Sequence, residues 1–226
     1  MKKDTNSCDL ASCFLCRNSL ASWIPAVAVH KKNYRLNKGE VLFTENENVQ
    51  GIYFLYDGII KVHKQWGEKE LVINFARQGD IIGYRGLGSD KVYPVTATAL
   101  APSTVCFIDL GFFETSLEAN HQLTYQLMKF FANELQDAEK RMRNLAHMEV
   151  KGRLCETLLL LHKRFGESKE GYIDILLSKQ DIASFTGTTY ETLFRVMNEL
   201  IKEKIINVNG KKIFLLNKAK LKKLSS

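Results

Sequence analysis

The sequence predicts an α+β protein in three successive parts: an antiparallel β-roll, a long helix and a winged helix-turn-helix. Three observations point to it. Short β-rich runs recur at regular spacing through the first half of the chain. A stretch with apolar residues every three or four positions follows. The last third then holds two capped helices and a hairpin.

The β-rich runs are Val41–Phe43, Ile52–Tyr56, Ile59–His63, Leu71–Phe75, Val95–Ala99 and Val105–Ile108. Turn signals separate them at Asn37-Lys38-Gly39, Asp57-Gly58, Gly67, Gln78-Gly79-Asp80 and Gly88-Ser89-Asp90. Strands so spaced imply a small antiparallel barrel or roll. A helical region is expected from about Phe112 to Phe165. Within it Leu127, Phe131, Leu135, Ala138, Met142 and Leu145 form a narrow apolar stripe, flanked by Glu134, Asp137, Glu139, Lys140, Arg141 and Arg143. Such a stripe is too narrow for a globular core helix and suits the seam of a two-helix coiled coil, hence a homodimer.

In the last third, Ser178-x-x-Asp181 reads as a capping box opening a short helix that Gly187 ends, and Thr188-x-x-Glu191 as a second box. The helix after it places Leu193, Val196, Met197, Leu200 and Ile201 on one face. Glu191, Arg195, Asn198 and Lys202 fall on the opposite face. Asn209-Gly210 between apolar runs is a hairpin signal, the wing. Charge agrees with this division. The chain carries a net +7, and residues 151–226, with 15 basic and 8 acidic side chains, account for all of it. A basic module joined to a neutral one implies a polyanion for the first, and with the helix-turn-helix that polyanion is double-stranded DNA. The expected DNA-facing residues are Ser178, Gln180, Thr189, Tyr190, Glu191, Thr192, Arg195 and Lys211.

Composition bounds the rest. At 226 residues, 45% hydrophobic and 25% charged, the chain has the makeup of an ordinary soluble protein. Met1-Lys2-Lys3 is not followed by the apolar run of a signal peptide. Leu10-Ala11-Ser12-Cys13 imitates a lipoprotein cleavage site but lacks the hydrophobic stretch before it. No segment approaches the roughly 18 apolar residues of a membrane span. The expected location is the cytoplasm, where clustered thiols more often bind metal than form bridges. No phosphate loop, nucleophile elbow or carboxylate pair is present, so an enzyme is not expected. None of the five histidines sits in a haem-binding motif.

Cys8, Cys13 and Cys16 lie within nine positions. Three thiols cannot pair among themselves, so a closed local disulfide framework is excluded and a fourth ligand, if there is one, lies elsewhere. Cys155, among Leu154, Leu158 and Leu159, reads as core packing.

Residues 36–226 resemble the Crp/Fnr family of bacterial transcription regulators. The roll does so at "KGEVLF", "YFLYDGIIKV" and "GDIIG", the long helix and its exit at "NLAHMEVKGRLCETLLLL", and the last third at "LSKQDIASFTGTTYETLFRVMNELIKEKII". The resemblance implies a cyclic-nucleotide-binding-like β-roll (a double-stranded β-helix), a dimerisation helix and a domain that reads palindromic DNA and works with RNA polymerase. It divides the chain into a cysteine-bearing segment (1–30), a sensor roll (31–112), a dimerisation helix (113–150) and a DNA-binding domain (151–226). Members that bind cyclic nucleotides carry Gly-Glu and, some ten residues on, Arg-Ser or Arg-Thr. Here Tyr84 replaces the glutamate and Pro94-Val95-Thr96 stands where Arg-Ser is expected, which argues against cyclic AMP. Arg85, without that carboxylate, reads as a surface residue.

The Fnr branch carries clustered N-terminal cysteines and a fourth in the roll, and Cys106 in "APSTVCFIDL" matches that fourth position. The resemblance therefore implies that Cys8, Cys13, Cys16 and Cys106 hold a [4Fe–4S] cluster responding to oxygen, nitric oxide or redox poise. One departure stands. The best-known members have two residues and then five between their clustered cysteines, whereas this chain has four and then two. The alternatives are a Cys₄ zinc site, or a small-molecule effector with the cysteines unligated. A roll serving as an enzyme's regulatory subunit is a further class, against which the basic winged helix counts.

Overall fold

The computed structural model describes residues 13–225 and, by backbone alone, residues 2–4. The expected ligand Cys8 lies outside the described residues. The chain forms two compact units, one ending at Leu135 and the other beginning at Gln136.

The first unit contains strands β1 (Lys2–Asp4), β2 (Lys32–Leu36), β3 (Val41–Phe43), β4 (Gly51–Asp57), β5 (Ile60–Trp66), β6 (Lys69–Ala76), β7 (Ile81–Ile82), β8 (Thr96–Ala99) and β9 (Ser103–Asp109). They make two antiparallel sheets, ordered β1-β2-β9-β4-β7 and β3-β8-β5-β6. Side chains alternate across a strand, and β4 and β9 use both faces. Tyr53, Leu55, Val105 and Phe107 join Phe43, Ile60 and Ala97 in one core cluster. Ile52, Phe54, Cys106 and Ile108 point the other way into a second cluster. That second cluster is covered by helices α1 (Phe14–Asn18) and α2 (Ile24–His30), by α3 (Leu110–Ala119) and by the start of α4 (His121–His147). Two-sided burial explains why β4 reads as the continuous apolar run Ile-Tyr-Phe-Leu-Tyr rather than an alternating one. The turn after it requires glycine. Gly58 has φ +97°, and a Cβ there would sit 2.2 Å from the Ser103 hydroxyl.

The expected helical region is three helices, because Asn120 and the Met148-Glu149 pair interrupt it; α5 (Val150–Phe165) follows α4. The expected seam also changes at its first position. Leu127 is 5% exposed and belongs to the first unit's own core. Its neighbour Met128 is 58% exposed and continues the outward stripe of Phe131, Leu135, Ala138, Met142 and Leu145. With Met128 the steps run three, four, three, four, three, the regular spacing of a coiled-coil seam.

The second unit holds α5, α6 (Lys179–Thr186), α7 (Tyr190–Lys202), the β10 (Ile206–Asn209) and β11 (Lys212–Leu215) hairpin, and α8 (Lys218–Leu224). Ser178 caps α6 as expected, its hydroxyl accepting from the Asp181 N–H at 3.0 Å. The next cap falls one residue later than expected. Gly187, at φ +72°, and the Thr188 N–H return to the Ser184 and Ala183 carbonyls, closing α6 in a Schellman arrangement. Thr188 is thereby used by the outgoing helix, and Thr189 caps α7 through the Thr192 N–H. In the wing Asn209 pairs with Lys212, so the loop is Gly210-Lys211.

Helix α8 was not expected from its lysine-rich sequence. Asn217 caps it through the Lys220 N–H, and Leu221 is fully buried. Gly152 lets it approach α5: a Cβ there would lie 2.9 Å from the Leu224 carbonyl oxygen.

Candidate cysteine site and nucleic-acid interface

Cys13 precedes α1, Cys16 lies on it, and Cys106 lies on the outward side of β9. All three are buried in the second core cluster of the first unit, with Phe14, Leu15, Phe54, Leu123 and Leu127. The segment bearing the first two is held by specific contacts. The Leu20 N–H donates to Asn120 Oδ1 at 3.0 Å, and the Trp23 indole N–H donates to the Ser116 hydroxyl at 3.0 Å. His30 stacks on Phe112 with ring centroids 4.0 Å apart, and Phe14 meets Phe130 of α4 edge-on at 5.7 Å. Among the described residues no three His, Cys, Asp or Glu side chains lie close enough together to hold a metal ion. The donors fit a thiophilic centre in kind: three soft thiols in one apolar region sheltered from water. Cys155 differs. It is wholly buried among leucines of α5, and burial pushes its thiol up to about 11, so at neutral pH it is a protonated packing group.

Tyr84 and Arg85 correct the surface reading of Arg85. Tyr84 is buried and its hydroxyl hydrogen-bonds Glu134 of α4. Arg85 pairs with the same carboxylate at 2.7 Å and lies over the Tyr84 ring at 4.9 Å. Tyr84 also packs edge-on against Phe130 at 4.8 Å. The carboxylate partner is 49 residues away, beyond the reach of any local pattern.

Elsewhere in the roll, Glu70 accepts from the Lys61 ammonium at 2.8 Å and lies 2.9 Å from His63 Nδ1. His63 Nε2 in turn meets the Thr98 hydroxyl at 3.0 Å. His63 and then Lys61 hold the Glu70 carboxyl down at about 2 against the cost of its burial.

In the second unit, α7 buries Leu193, Val196, Met197 and Leu200. Glu191, Arg195, Asn198 and Lys202 are exposed on the opposite face. Of the other expected DNA-facing residues, Gln180, Thr189, Tyr190 and Lys211 are exposed, while Ser178 and Thr192 are half-buried by the capping contacts. The Arg195 guanidinium pairs with Glu199 one turn on at 3.0 Å. Lys151 reaches both Glu199 (3.6 Å) and Glu203 (2.7 Å), and Lys220 reaches Glu203 at 3.0 Å. Glu199 is a neighbour of Arg195 that the sequence pattern did not single out, although its i,i+4 spacing is visible there.

Residues 34–120 match the cyclic nucleotide-binding domain, and residues 152–224 match the Crp-like helix-turn-helix domain. The chain belongs to the Crp/Fnr family of transcription regulators. The anaerobic regulatory protein of Bacillus subtilis is 28% identical over 188 residues, covering 81% of this chain and 79% of that protein. The fumarate and nitrate reduction regulatory protein of Vibrio cholerae is 28% identical over 196 residues, covering 84% and 77%. FixK2 from Bradyrhizobium japonicum has the same fold, with a TM-score of 0.78 over 87% of this chain and 98% of that one at 24% identity. As a Crp/Fnr regulator with a helix-turn-helix, the protein binds DNA and acts as a dimer. No helix among the described residues is long and apolar enough to cross a membrane.

Proposed function

We propose that this Crp/Fnr regulator responds to oxygen, nitric oxide or redox poise through a [4Fe–4S] cluster held by Cys8, Cys13, Cys16 and Cys106. The observation that carries the reading is the burial of Cys13, Cys16 and Cys106 in one apolar cluster with Leu123 and Leu127 of α4. Similarity to the anaerobic and fumarate–nitrate regulators supports it. The proposed division of the chain is a cysteine-bearing segment (1–30), a sensor roll (31–112), a dimerisation helix (113–150) and a DNA-binding domain (151–226).

When bound, the cluster supplies an oxidant-labile centre with one thiolate per iron. The protein's part is mechanical. Phe14 meets Phe130 of α4 edge-on and Leu15 shares a core cluster with Leu123 and Leu127, so the position of residues 13–30 is felt by that helix. The dimer forms along the exposed α4 stripe from Met128 to Leu145, which that displacement biases. DNA is read by α7 with Glu191 accepting from cytosine and Arg195 donating to guanine. Thr189, Thr192, Ser178, Gln180 and Lys211 position the backbone, and the bound dimer engages RNA polymerase. Cyclic AMP is not the effector: Tyr84 stands in place of the ribose-binding glutamate and is tied to Glu134.

The test is the visible spectrum and metal content of protein purified without oxygen. The expected result is a brown protein with about four irons and four sulfides per chain. Each Cys→Ser change at the four positions should remove most of the absorbance, because alkoxide replaces thiolate poorly on iron. Cys155→Ser should leave it intact. A colourless preparation with one zinc per chain would overturn the cluster and leave the fold and family untouched.

A further inference from the structure

Tyr190 and Phe194 share the recognition helix with Arg195 and are unusual for their exposure. They are 42% and 43% exposed, in the first two turns of α7, while four apolar side chains of the same helix are buried. At about 100° per residue they lie on the shoulder between the buried face and the face of Glu191 and Arg195. Their rings stack with planes 15° apart and centroids 6.4 Å apart. The Lys179 ammonium, at the start of α6, lies 5.0 Å from the centre of the Phe194 ring. Phe194 therefore lies at the edge of the helix's buried face, with much of its ring exposed. With Tyr190 it forms an exposed aromatic pair, with the Lys179 ammonium against the Phe194 ring.

We propose that this aromatic pair is a specificity element for thymine, packing against the 5-methyl groups beside the base that Arg195 reads. The thymine methyl is the one apolar feature on the major-groove edge of the base pairs. The N-terminal residues of a recognition helix are those that reach base edges, which is where Tyr190 and Phe194 sit. A protein partner is the other class of surface an exposed aromatic pair would suit. The Lys179 cation at the Phe194 ring, which matches a phosphate-lined groove, and continuity with the helix-turn-helix favour DNA. The inference rests on α7 being the helix that enters the groove and on Arg195 reading a base.

The test uses the full-length dimer and a palindromic operator selected from randomised duplexes. Each thymine of one half-site and its symmetry mate is then replaced by deoxyuridine, which removes the methyl alone. One or two positions next to the base read by Arg195 should weaken binding by about fourfold per methyl, the worth of one buried methyl group. The Tyr190→Ala/Phe194→Ala protein should lose that dependence and bind thymine and uracil operators equally, whereas Phe194→Leu should keep part of it. Exposure of both rings predicts that these variants melt like the parent protein. Indifference of the parent protein to uracil at every position, or a uracil penalty that survives in the double variant, would overturn the proposal. The recognition reading fails separately, when Arg195→Ala leaves the selected sequence unchanged. Failure to select any sequence would overturn both.

Discussion

The helix-turn-helix and the cysteine site are specified in opposite ways. The first is written in contacts between residues three or four apart: Ser178 with Asp181, Thr189 with Thr192, Arg195 with Glu199. The second joins Cys13 and Cys16 to Cys106 across some ninety positions, through a shared apolar cluster rather than any local pattern. Short-range capping makes a module that a sequence reveals and that needs no effector to form. Long-range assembly makes a site whose integrity depends on how a short segment packs, a suitable place for a signal to act.

The largest effect should come from the α4 stripe, which belongs to neither class. Leu135 is 60% exposed in the single chain, and Leu135→Glu would bury two facing carboxylates in the dimer. The expected cost to association is about 3–5 kcal/mol, giving a monomer by sedimentation at micromolar concentration. An intact dimer would mean the seam lies elsewhere. Leu127→Ala should do the reverse. Leu127 is a core residue of the first unit, so about 2–5 kcal/mol of unfolding free energy should be lost without a change in association measured below the melting transition.

Glu70 gives a prediction of intermediate size and opposite pH sense to a buried base. Its folded-state pKa, about 2, lies below the unfolded value. Its contribution is therefore complete at neutral pH and is lost as pH falls from near 4.5 toward 2. Glu70→Gln should lower stability by on the order of 1–3 kcal/mol at pH 7, and the gap between variant and parent should close on acidification. A gap independent of pH would mean the Lys61 and His63 contacts contribute nothing as charges.

How much of this was legible in the sequence follows the same division. The α6 cap, the Gly187 break, the wing and strands β3–β6, β8 and β9 were readable, because propensity, turn chemistry and burial agree at each, whereas the two-residue β7 was not. The α7 cap was displaced by one residue because Thr188 serves the end of α6. Strand β2 was missed, since Lys-Asn-Tyr-Arg-Leu becomes a strand only by pairing with β9. Helix α8 was missed because one buried face, Leu221, is hidden among lysines. Arg85 looked like a surface cation because Glu134 is distant in sequence.

Two further effects sharpen the local side of the contrast. Arg195→Ala should cost about 1–3 kcal/mol per half-site on a preferred operator and relax selection at one base, as read by randomised-site selection. Thr189→Ala should lower stability by about 1 kcal/mol as a lost helix cap, and Thr188→Ala by clearly less. Equal losses in thermal unfolding would place the cap back at Thr188.

The measurement closest to the central claim is operator affinity of one preparation before and after air, for the parent protein and for Cys106→Ser. The parent, prepared without oxygen, should bind tightly and lose affinity in air. Cys106→Ser should bind weakly in both conditions, because the roll no longer supplies its thiolate to the segment bearing Cys13 and Cys16. An air response that persists in Cys106→Ser, or a parent protein indifferent to air, would contradict the account.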